Sequence, residues 1–252
     1  MKRILFTTVA LGALGLMSPA LGADLAPYTK APVSPAYDWS GFYVGVFGGG
    51  GFGSHSVNNG TPTGFAKFLF NYDSTGAIAG GEAGYNYQTG SIVVGAEATG
   101  FWSGIKGNDL SSQLATGGTQ IDATNLRDVI TLVGRGGIAV DRLLLFFTGG
   151  WAYGNIQHTD TNLAPPAGVN AVDAFTLNRS GLTAGGGIAY AITNNLIGKF
   201  EYRYFDFGAY SRPGLATGLT PNGQLPYTVN TTYSVITVGL DYKFGGPVVA
   251  RY

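Results

Sequence analysis

Charged side chains in this sequence recur at positions that alternate with apolar residues in strand-like segments. In the segment KFEYRY, Lys199, Glu201 and Arg203 alternate with aromatic residues. Successive side chains of a strand point to opposite faces. The charged residues of these segments are therefore predicted to lie on one face of a sheet, away from the apolar face, where opposite charges can pair. The full set is Glu82, Glu97, Arg135, Lys199, Glu201, Arg203, Asp241 and Lys243. This pattern favours a structural salt-bridge network over the alternative, a gated path for ions.

Catalytic and metal-binding chemistry has little support in the sequence. The histidines are His55 and His158, both in predicted loops, and cysteine is absent. A zinc site needs three or four ligands, and a hydrolase needs a histidine with a serine and a carboxylate. His158 and Asp160 form a local pair, but no serine lies close to them in the sequence. We therefore expect no enzyme, no metal and no cofactor, with both histidines in polar loops.

The composition excludes several classes of protein. The formal net charge is +0, so no basic field recruits nucleic acid. Charged residues make up 11% and hydrophobic residues 45%, whereas a soluble domain carries roughly 25% charge. The 42 glycines follow no three-residue period, which excludes collagen. The apolar side chains therefore need an environment other than water.

The N-terminus is typical of an export signal. Lys2 and Arg3 precede an apolar run that is short for a transmembrane helix, and Ala20 and Gly22 fit a small-residue cleavage site. We predict a signal peptide over residues 1–22. A proline-spaced periplasmic leader is then predicted over residues 23–38, and the mature chain begins at Ala23 and Asp24.

No later segment is apolar and long enough for a membrane helix, so a closed sheet is the remaining way to cross a bilayer. Eight segments of about ten residues show the alternation that barrel strands require. They lie near residues 41–49, 79–87, 92–99, 130–138, 145–153, 182–190, 199–204 and 236–244. Short turns are predicted near Thr89, Asp141 and Asn194, and loops of about twenty residues or more near Asn58, Gln113, Pro165 and Pro221. The prediction is an eight-stranded antiparallel up-and-down transmembrane β-barrel with four long external loops, over residues 39–244, followed by a tail over residues 245–252.

A water-soluble barrel with the polar face outward is the rival fold. Two features count against it: the many inward glycines and alanines would fill such a core poorly, and the aromatic residues cluster near strand ends. The second feature is expected of aromatic girdles at a membrane interface. The candidate girdle residues are Tyr85, Tyr87, Trp151, Tyr153, Tyr190, Tyr202, Tyr204 and Tyr242.

Several motifs resemble those of a known family. They are WSGFYVG from Trp39, DRLLL from Asp141, GGGIAY from Gly185, TNN from Thr193 and GLDYKF from Gly239. In combination they resemble the small outer-membrane immunogenic proteins, often labelled porin family, which are similar to the OmpA-like transmembrane barrel. The resemblance implies a Gram-negative outer-membrane protein. It also implies that Leu240, Tyr242 and Phe244 carry the signal read by the barrel-assembly machinery, and that Ala23 or Asp24 is joined covalently to peptidoglycan.

Three functions remain open at this point. A structural barrel that supports envelope integrity is favoured, because the interior of an eight-stranded barrel is just wide enough for its own side chains. The alternatives are a narrow porin-like pore for small solutes and a surface adhesin or immune-interaction protein. The last would act through external loops, the first of which is rich in aromatic residues from Phe65 to Tyr72. The expected partners are outer-membrane lipid and lipopolysaccharide, the assembly machinery and peptidoglycan, for a monomer or weak homo-oligomer.

Overall fold

Nine β-strands form the described part of the chain. The computed structural model describes residues 37–59, 68–113, 119–162, 172–213 and 226–245. The strands are β1 (Gly41–Asn59), β2 (Phe68–Thr89), β3 (Ile92–Ser103), β4 (Lys106–Gln113), β5 (Thr119–Val140), β6 (Leu143–Asn162), β7 (Val172–Ala191), β8 (Leu196–Pro213) and β9 (Pro226–Lys243). Within those ranges, no helix has the length and apolar character needed to cross a membrane. The predicted signal peptide, most of the leader with Ala23 and Asp24, and the tail beyond Gly245 lie outside the described residues.

The strands close into an eight-stranded antiparallel barrel. Strand β9 pairs with β1 from Tyr43↔Lys243 to Asn59↔Tyr227, which joins the two ends of the sheet. β3 and β4 occupy one place in the barrel, since both pair with β2 on one side and with β5 on the other. The break between them contains Ile105, whose backbone N–H donates to Ser103 Oγ at 3.1 Å. The predicted fold and strand number are confirmed.

The three short turns are also where the sequence predicted them. Gly90, in the turn between β2 and β3, has φ 61°. Asp141 opens the turn between β5 and β6 with φ 50°, a left-handed conformation that aspartate tolerates better than most residues. Between β7 and β8, the backbone N–H of Leu196 donates to Thr193 Oγ1 at 2.9 Å. These turns define one end of the barrel, called here the turn end.

At the opposite end, the strands are longer than the sequence predicted. Asn58 and Gln113, both placed in loops, lie in β1 and β4. The predicted loop length of about twenty residues is therefore wrong: the segments between the described strands at this end are residues 60–67, 114–118, 163–171 and 214–225. Beyond the apolar belt both faces of a strand carry polar side chains, as at Gln157, His158 and Thr159 of β6. The alternation of hydrophobicity that reveals a strand is lost there, although backbone pairing continues.

Large apolar side chains cover the outward face nearer the turn end. Phe147 is 75% exposed and Trp102 is 74% exposed, and all the predicted girdle aromatics are exposed on the same face. A continuous apolar surface of this size marks contact with a membrane or a partner, and the length of strand it covers suits a bilayer. The eight charged residues predicted to face the lumen are all buried inside the barrel, so the inverted water-soluble arrangement is excluded.

Glycines make room inside the barrel for side chains from neighbouring strands. A Cβ atom added to Gly84 would lie 2.4 Å from the hydroxyl of Tyr43, and one added to Gly187 would lie 2.9 Å from the ring of Phe146. The inward glycines of this barrel therefore admit large neighbouring side chains and do not leave the interior empty. Each of these glycines lies beneath a large side chain that fills the lumen.

Candidate functional site

The charged side chains meet in the middle of the lumen. Glu97 is 1% exposed and accepts from Arg135 Nη2 at 2.6 Å and from Arg203 Nη2 at 2.9 Å. Lys199 Nζ pairs with Glu82 and lies 3.3 Å from Glu201 Oε2. We call this set the charge layer: Glu82, Glu97, Arg135, Lys199, Glu201 and Arg203.

Hydroxyl groups complete the hydrogen bonding of the charge layer. The Tyr43 hydroxyl donates to Glu97 Oε2 at 2.9 Å, and Thr148 Oγ1 donates to Glu201 Oε1 at 3.1 Å. Arg203 Nη1 donates to Thr131 Oγ1 at 3.1 Å. Buried charges are tolerated when they are paired and hydrogen-bonded in this way.

Three carboxylates of the charge layer lie close enough together to suggest a metal site. Oxygen atoms of Glu82, Glu97 and Glu201 lie within 4.8 Å of one another. Each of them already contacts at least one buried cation of the same layer. A metal ion would have to displace those cations, so the arrangement is that of a neutralised network.

Of the two remaining predicted lumen residues, Asp241 lies beside Glu82 of this layer, whereas Lys243 lies apart from it. Asp241 is buried, but within the described ranges no ion pair joins it to a cation. Lys243 Nζ donates to the backbone carbonyl of Asp38 and lies 4.4 Å from the ring centroid of Tyr37. Lys243 therefore belongs to the turn end of the barrel, because it is the last residue of β9.

An apolar layer fills the lumen on the loop side of the charge layer. Phe101 packs edge-on against Phe205 with ring centroids 5.9 Å apart, and Phe207 packs edge-on against Tyr233 at 6.1 Å. This outer apolar layer consists of Ile78, Phe101, Ile105, Leu126, Val129, Ala152, Ile156, Phe205, Phe207, Tyr233 and Val235. A cavity of about 10 Å³ touches both layers at Phe101, Glu82 and Arg203, and it has room for one water molecule.

A second apolar layer closes the lumen at the turn end. Its members are Tyr37, Trp39, Val93, Ala139, Leu144, Phe146, Ala189, Ala191 and Ile197. The ring of Phe146 faces the guanidinium of Arg135 at 4.3 Å, so this layer contacts the charge layer directly. Tyr37 and Trp39 precede β1, and Tyr37 falls in the predicted leader. The leader therefore does not extend freely up to Asp38, because its last residues pack inside the barrel.

The two histidines lie inside the barrel and not in loops. His55 of β1 is stacked on Tyr72 of β2 at 4.7 Å, and its Nε2 is 3.0 Å from Ser74 Oγ. His158 Nδ1 of β6 is 2.9 Å from Thr124 Oγ1, which also contacts the Tyr72 hydroxyl. The prediction of exposed loop histidines is wrong, as is the placement of Tyr72 in the first loop. Both errors arise because the loop-side extensions of the strands carry no apolar alternation.

The predicted assembly residues lie on the last strand and just beyond it. Leu240, Tyr242 and Phe244 are each 50% exposed on the outward face, and the rings of Tyr242 and Phe244 pack edge-on at 5.1 Å. The backbone N–H of Phe244 donates to the Phe42 carbonyl at 2.8 Å. Phe244 therefore extends by one residue the backbone pairing of β9 with β1, the two strands that close the barrel.

Comparisons with known proteins find sequence relatives and solved structures that align with this chain. The 31 kDa outer-membrane immunogenic protein of Brucella melitensis is 30% identical over 260 residues, covering 97% of this chain and all of the relative (100%). The 22 kDa outer membrane protein of Rhizobium leguminosarum bv. viciae is 32% identical over 178 residues, covering 71% of this chain and 69% of the relative. Among solved structures, OprG of Pseudomonas aeruginosa aligns with a TM-score of 0.47 at 12% identity, covering 84% of this chain and 99% of OprG.

The family described as outer membrane protein beta-barrel domain matches residues 6–244. That range includes all the described strands and both apolar layers. The relatives are outer-membrane proteins of Gram-negative bacteria, which fits the apolar outward belt. The chain is therefore an outer-membrane protein and belongs to the outer membrane protein β-barrel domain family.

Proposed function

We propose that this protein is a structural outer-membrane barrel with a closed lumen, which supports the integrity of the envelope. The observation that carries the proposal is the filling of the lumen, in which a charge layer lies between two apolar layers. An eight-stranded barrel leaves little space beyond its own side chains. The interior of this one is occupied along most of its length.

Opening a path for ions through this lumen would require several unfavourable changes together. Separating one partner of a buried ion pair costs about 3–5 kcal/mol, and the charge layer shares Glu97 among three cations. The aromatic side chains on either side would also have to leave their packed positions. A closed barrel is therefore favoured over a narrow pore for small solutes.

A covalent tether to peptidoglycan through Ala23 or Asp24 completes the proposal. In support, Tyr37 lies at the turn end, where its hydroxyl donates to the Asn194 carbonyl at 3.1 Å. Short turns face the periplasm in bacterial barrels, so the leader continues from the side that faces the cell wall. Fully extended, residues 23–36 reach at most about 50 Å.

We also propose that the barrel-assembly machinery recognises Leu240, Tyr242 and Phe244. The support is their common position on the outward face next to the closing pair of strands. Replacing Tyr242 and Phe244 by serine should reduce the amount of heat-modifiable protein in the outer membrane. The control is Thr148→Ser, a replacement by serine at a residue that faces the lumen, and the amount of heat-modifiable protein is compared between the two variants.

Conductance in planar bilayers separates the closed barrel from the pore. Purified protein from outer membranes is expected to give no steady single-channel current, and loss of the gene is expected to sensitise cells to detergent. Steady channels at neutral pH would favour the pore.

The tether to peptidoglycan has its own test. Muramidase-digested envelopes should release protein that carries a muropeptide on its first residue, and an unmodified N-terminus would remove the tether from the proposal.

A further inference from the structure

Residues 37–40, which precede β1, cross the mouth of the barrel at the turn end and place the rings of Tyr37 and Trp39 inside it. Trp39 is 1% exposed and Tyr37 is 8% exposed, and their rings pack edge-on at 5.0 Å. Both rings belong to the apolar layer that closes this end. We call residues 37–40 the N-terminal latch.

The latch is bonded to each of the three short turns of the barrel. The backbone N–H of Trp39 donates to Gln88 Oε1 at 2.7 Å, beside the turn between β2 and β3. Trp39 Nε1 donates to the Asp141 carbonyl at 3.1 Å, and the backbone N–H of Tyr37 donates to Asp141 Oδ1 at 3.2 Å, in the turn between β5 and β6. The Tyr37 hydroxyl reaches the Asn194 carbonyl, in the turn between β7 and β8.

Further contacts join the latch to the end of β9 and to the second residue of one turn. Lys243 Nζ donates to the Asp38 carbonyl and also lies over the Tyr37 ring. The Arg142 guanidinium lies 5.6 Å from the centroid of the same ring. Three latch residues, Tyr37, Asp38 and Trp39, therefore connect the three turns and the last strand, which come from distant parts of the sequence.

Gly41 connects the latch to the barrel wall. Its φ of +135° is disfavoured for any side chain, and a Cβ there would lie 2.9 Å from the Phe244 carbonyl oxygen. The chain can thus leave the centre of the mouth and enter β1 within one residue.

From these contacts we propose that the N-terminal latch is a mechanical coupling element. A pulling force applied to the leader is distributed by the latch over the three turns and β9 before it acts on β1. Without the latch, tension would act directly on Gly41 and would open the ladder of β1 with β2 and β9 one residue at a time. With it, the hydrogen bonds and the two buried rings must fail first. The biological use of the latch rests on the proposed tether, but its mechanical action does not.

Single-molecule force spectroscopy tests this coupling in the folded protein. The chain contains no cysteine, so Asp24→Cys provides a unique handle in the leader for pulling protein embedded in a lipid bilayer. The first rupture force is expected to fall in Tyr37→Ala/Trp39→Ala, while later hairpin extractions keep their forces. Phe42→Ala is the matched control, because it truncates a neighbouring aromatic on the outward face, where Phe42 is 66% exposed.

The outcomes are distinguishable. An unchanged first rupture force in the double variant, or an equal fall in the Phe42 control, would overturn the latch. If the double variant does not assemble, Gln88→Ala removes the acceptor of Trp39 N–H and should lower the same first event. The wall tether is tested separately on the protein without the cysteine: an unmodified N-terminus there would reject only the tether, and the expected rupture of the latch would still support the coupling.

Discussion

Arg203 of β8 and Glu97 of β3 belong to strands on opposite sides of the barrel, and their side chains meet at 2.9 Å across the lumen. Glu97 also accepts from Arg135 of the adjacent strand β5. The carboxylate thus braces the barrel both across its diameter and along its wall. A contact of this kind opposes flattening of the barrel, because it fixes the distance between walls that share no backbone hydrogen bonds.

Replacing Glu97 by glutamine should destabilise the barrel strongly. The change leaves buried cations without their shared anion, and breaking a buried pair in this way costs about 3–5 kcal/mol. The free energy of unfolding, measured by denaturant titration in detergent or lipid, reports the loss. Asp73→Asn removes a carboxylate from the exposed face of β2 and should change that free energy little. Equal effects of the two variants would contradict the bracing role.

Truncation of the outer apolar layer should also be costly. Phe205 is 1% exposed, and Phe205→Ala would leave a cavity between Phe101 and Phe207. Large-to-small changes of buried phenylalanine cost about 3–5 kcal/mol. The matched variant Phe147→Ala truncates a side chain on the outward face and should have the smaller effect on the urea midpoint. A reversed order would mean that the lumen is not a packed core.

The latch should loosen at alkaline pH because of Tyr37. Burial raises the pKa of Tyr37 to about 12, against the opposing effect of the Arg142 charge, while its pKa in the unfolded chain is about 10. Below pH 10 the phenol is protonated in both states, so its contribution to stability is complete. As the pH rises through 10 to 12 the unfolded state loses its proton first, and that contribution disappears.

The corresponding measurement compares the wild type with Tyr37→Phe over this pH range. The phenylalanine variant lacks the titrating group but keeps the ring. The difference in unfolding free energy between the two proteins should therefore shrink as the pH rises. Other tyrosines titrate in both proteins and cancel in the difference. A difference that stays constant with pH would show that folding does not raise the pKa of Tyr37.

Asp141 combines a left-handed backbone with an acceptor for the latch, and a series of three variants separates the two roles. Asp141→Asn should be tolerated, because asparagine adopts positive φ and keeps an Oδ1 acceptor. Asp141→Gly keeps the backbone but loses the bond from Tyr37 N–H. Asp141→Ala loses both and should be the least stable, with the left-handed backbone alone costing about 1–2 kcal/mol. The thermal midpoints of the folded, heat-modifiable form rank the three variants by stability. A glycine variant as stable as the asparagine variant would show that the Oδ1 acceptor does not stabilise the latch.

Much of the fold was predictable because the pattern that determines it is local. Alternation between the two faces of a strand is a property of neighbouring residues, so KFEYRY places Lys199, Glu201 and Arg203 inside without knowledge of any partner. The same reasoning predicts an even number of strands and short turns at Thr89, Asp141 and Asn194. It fails where both faces of a strand are polar. For that reason His55 and His158 were expected in loops.

The sequence by itself determined the membrane barrel, its strand order and the inward direction of its charges. Only the tertiary structure decided which charges meet, that two apolar layers enclose them, and that Tyr37 and Trp39 fill the mouth. Lys199 and Glu82 are 117 residues apart in the chain, and their contact depends on the stagger of the strands around the closed barrel. The side chains that face one another across the lumen follow from that stagger, which is a property of the whole ring of strands and not of any one segment.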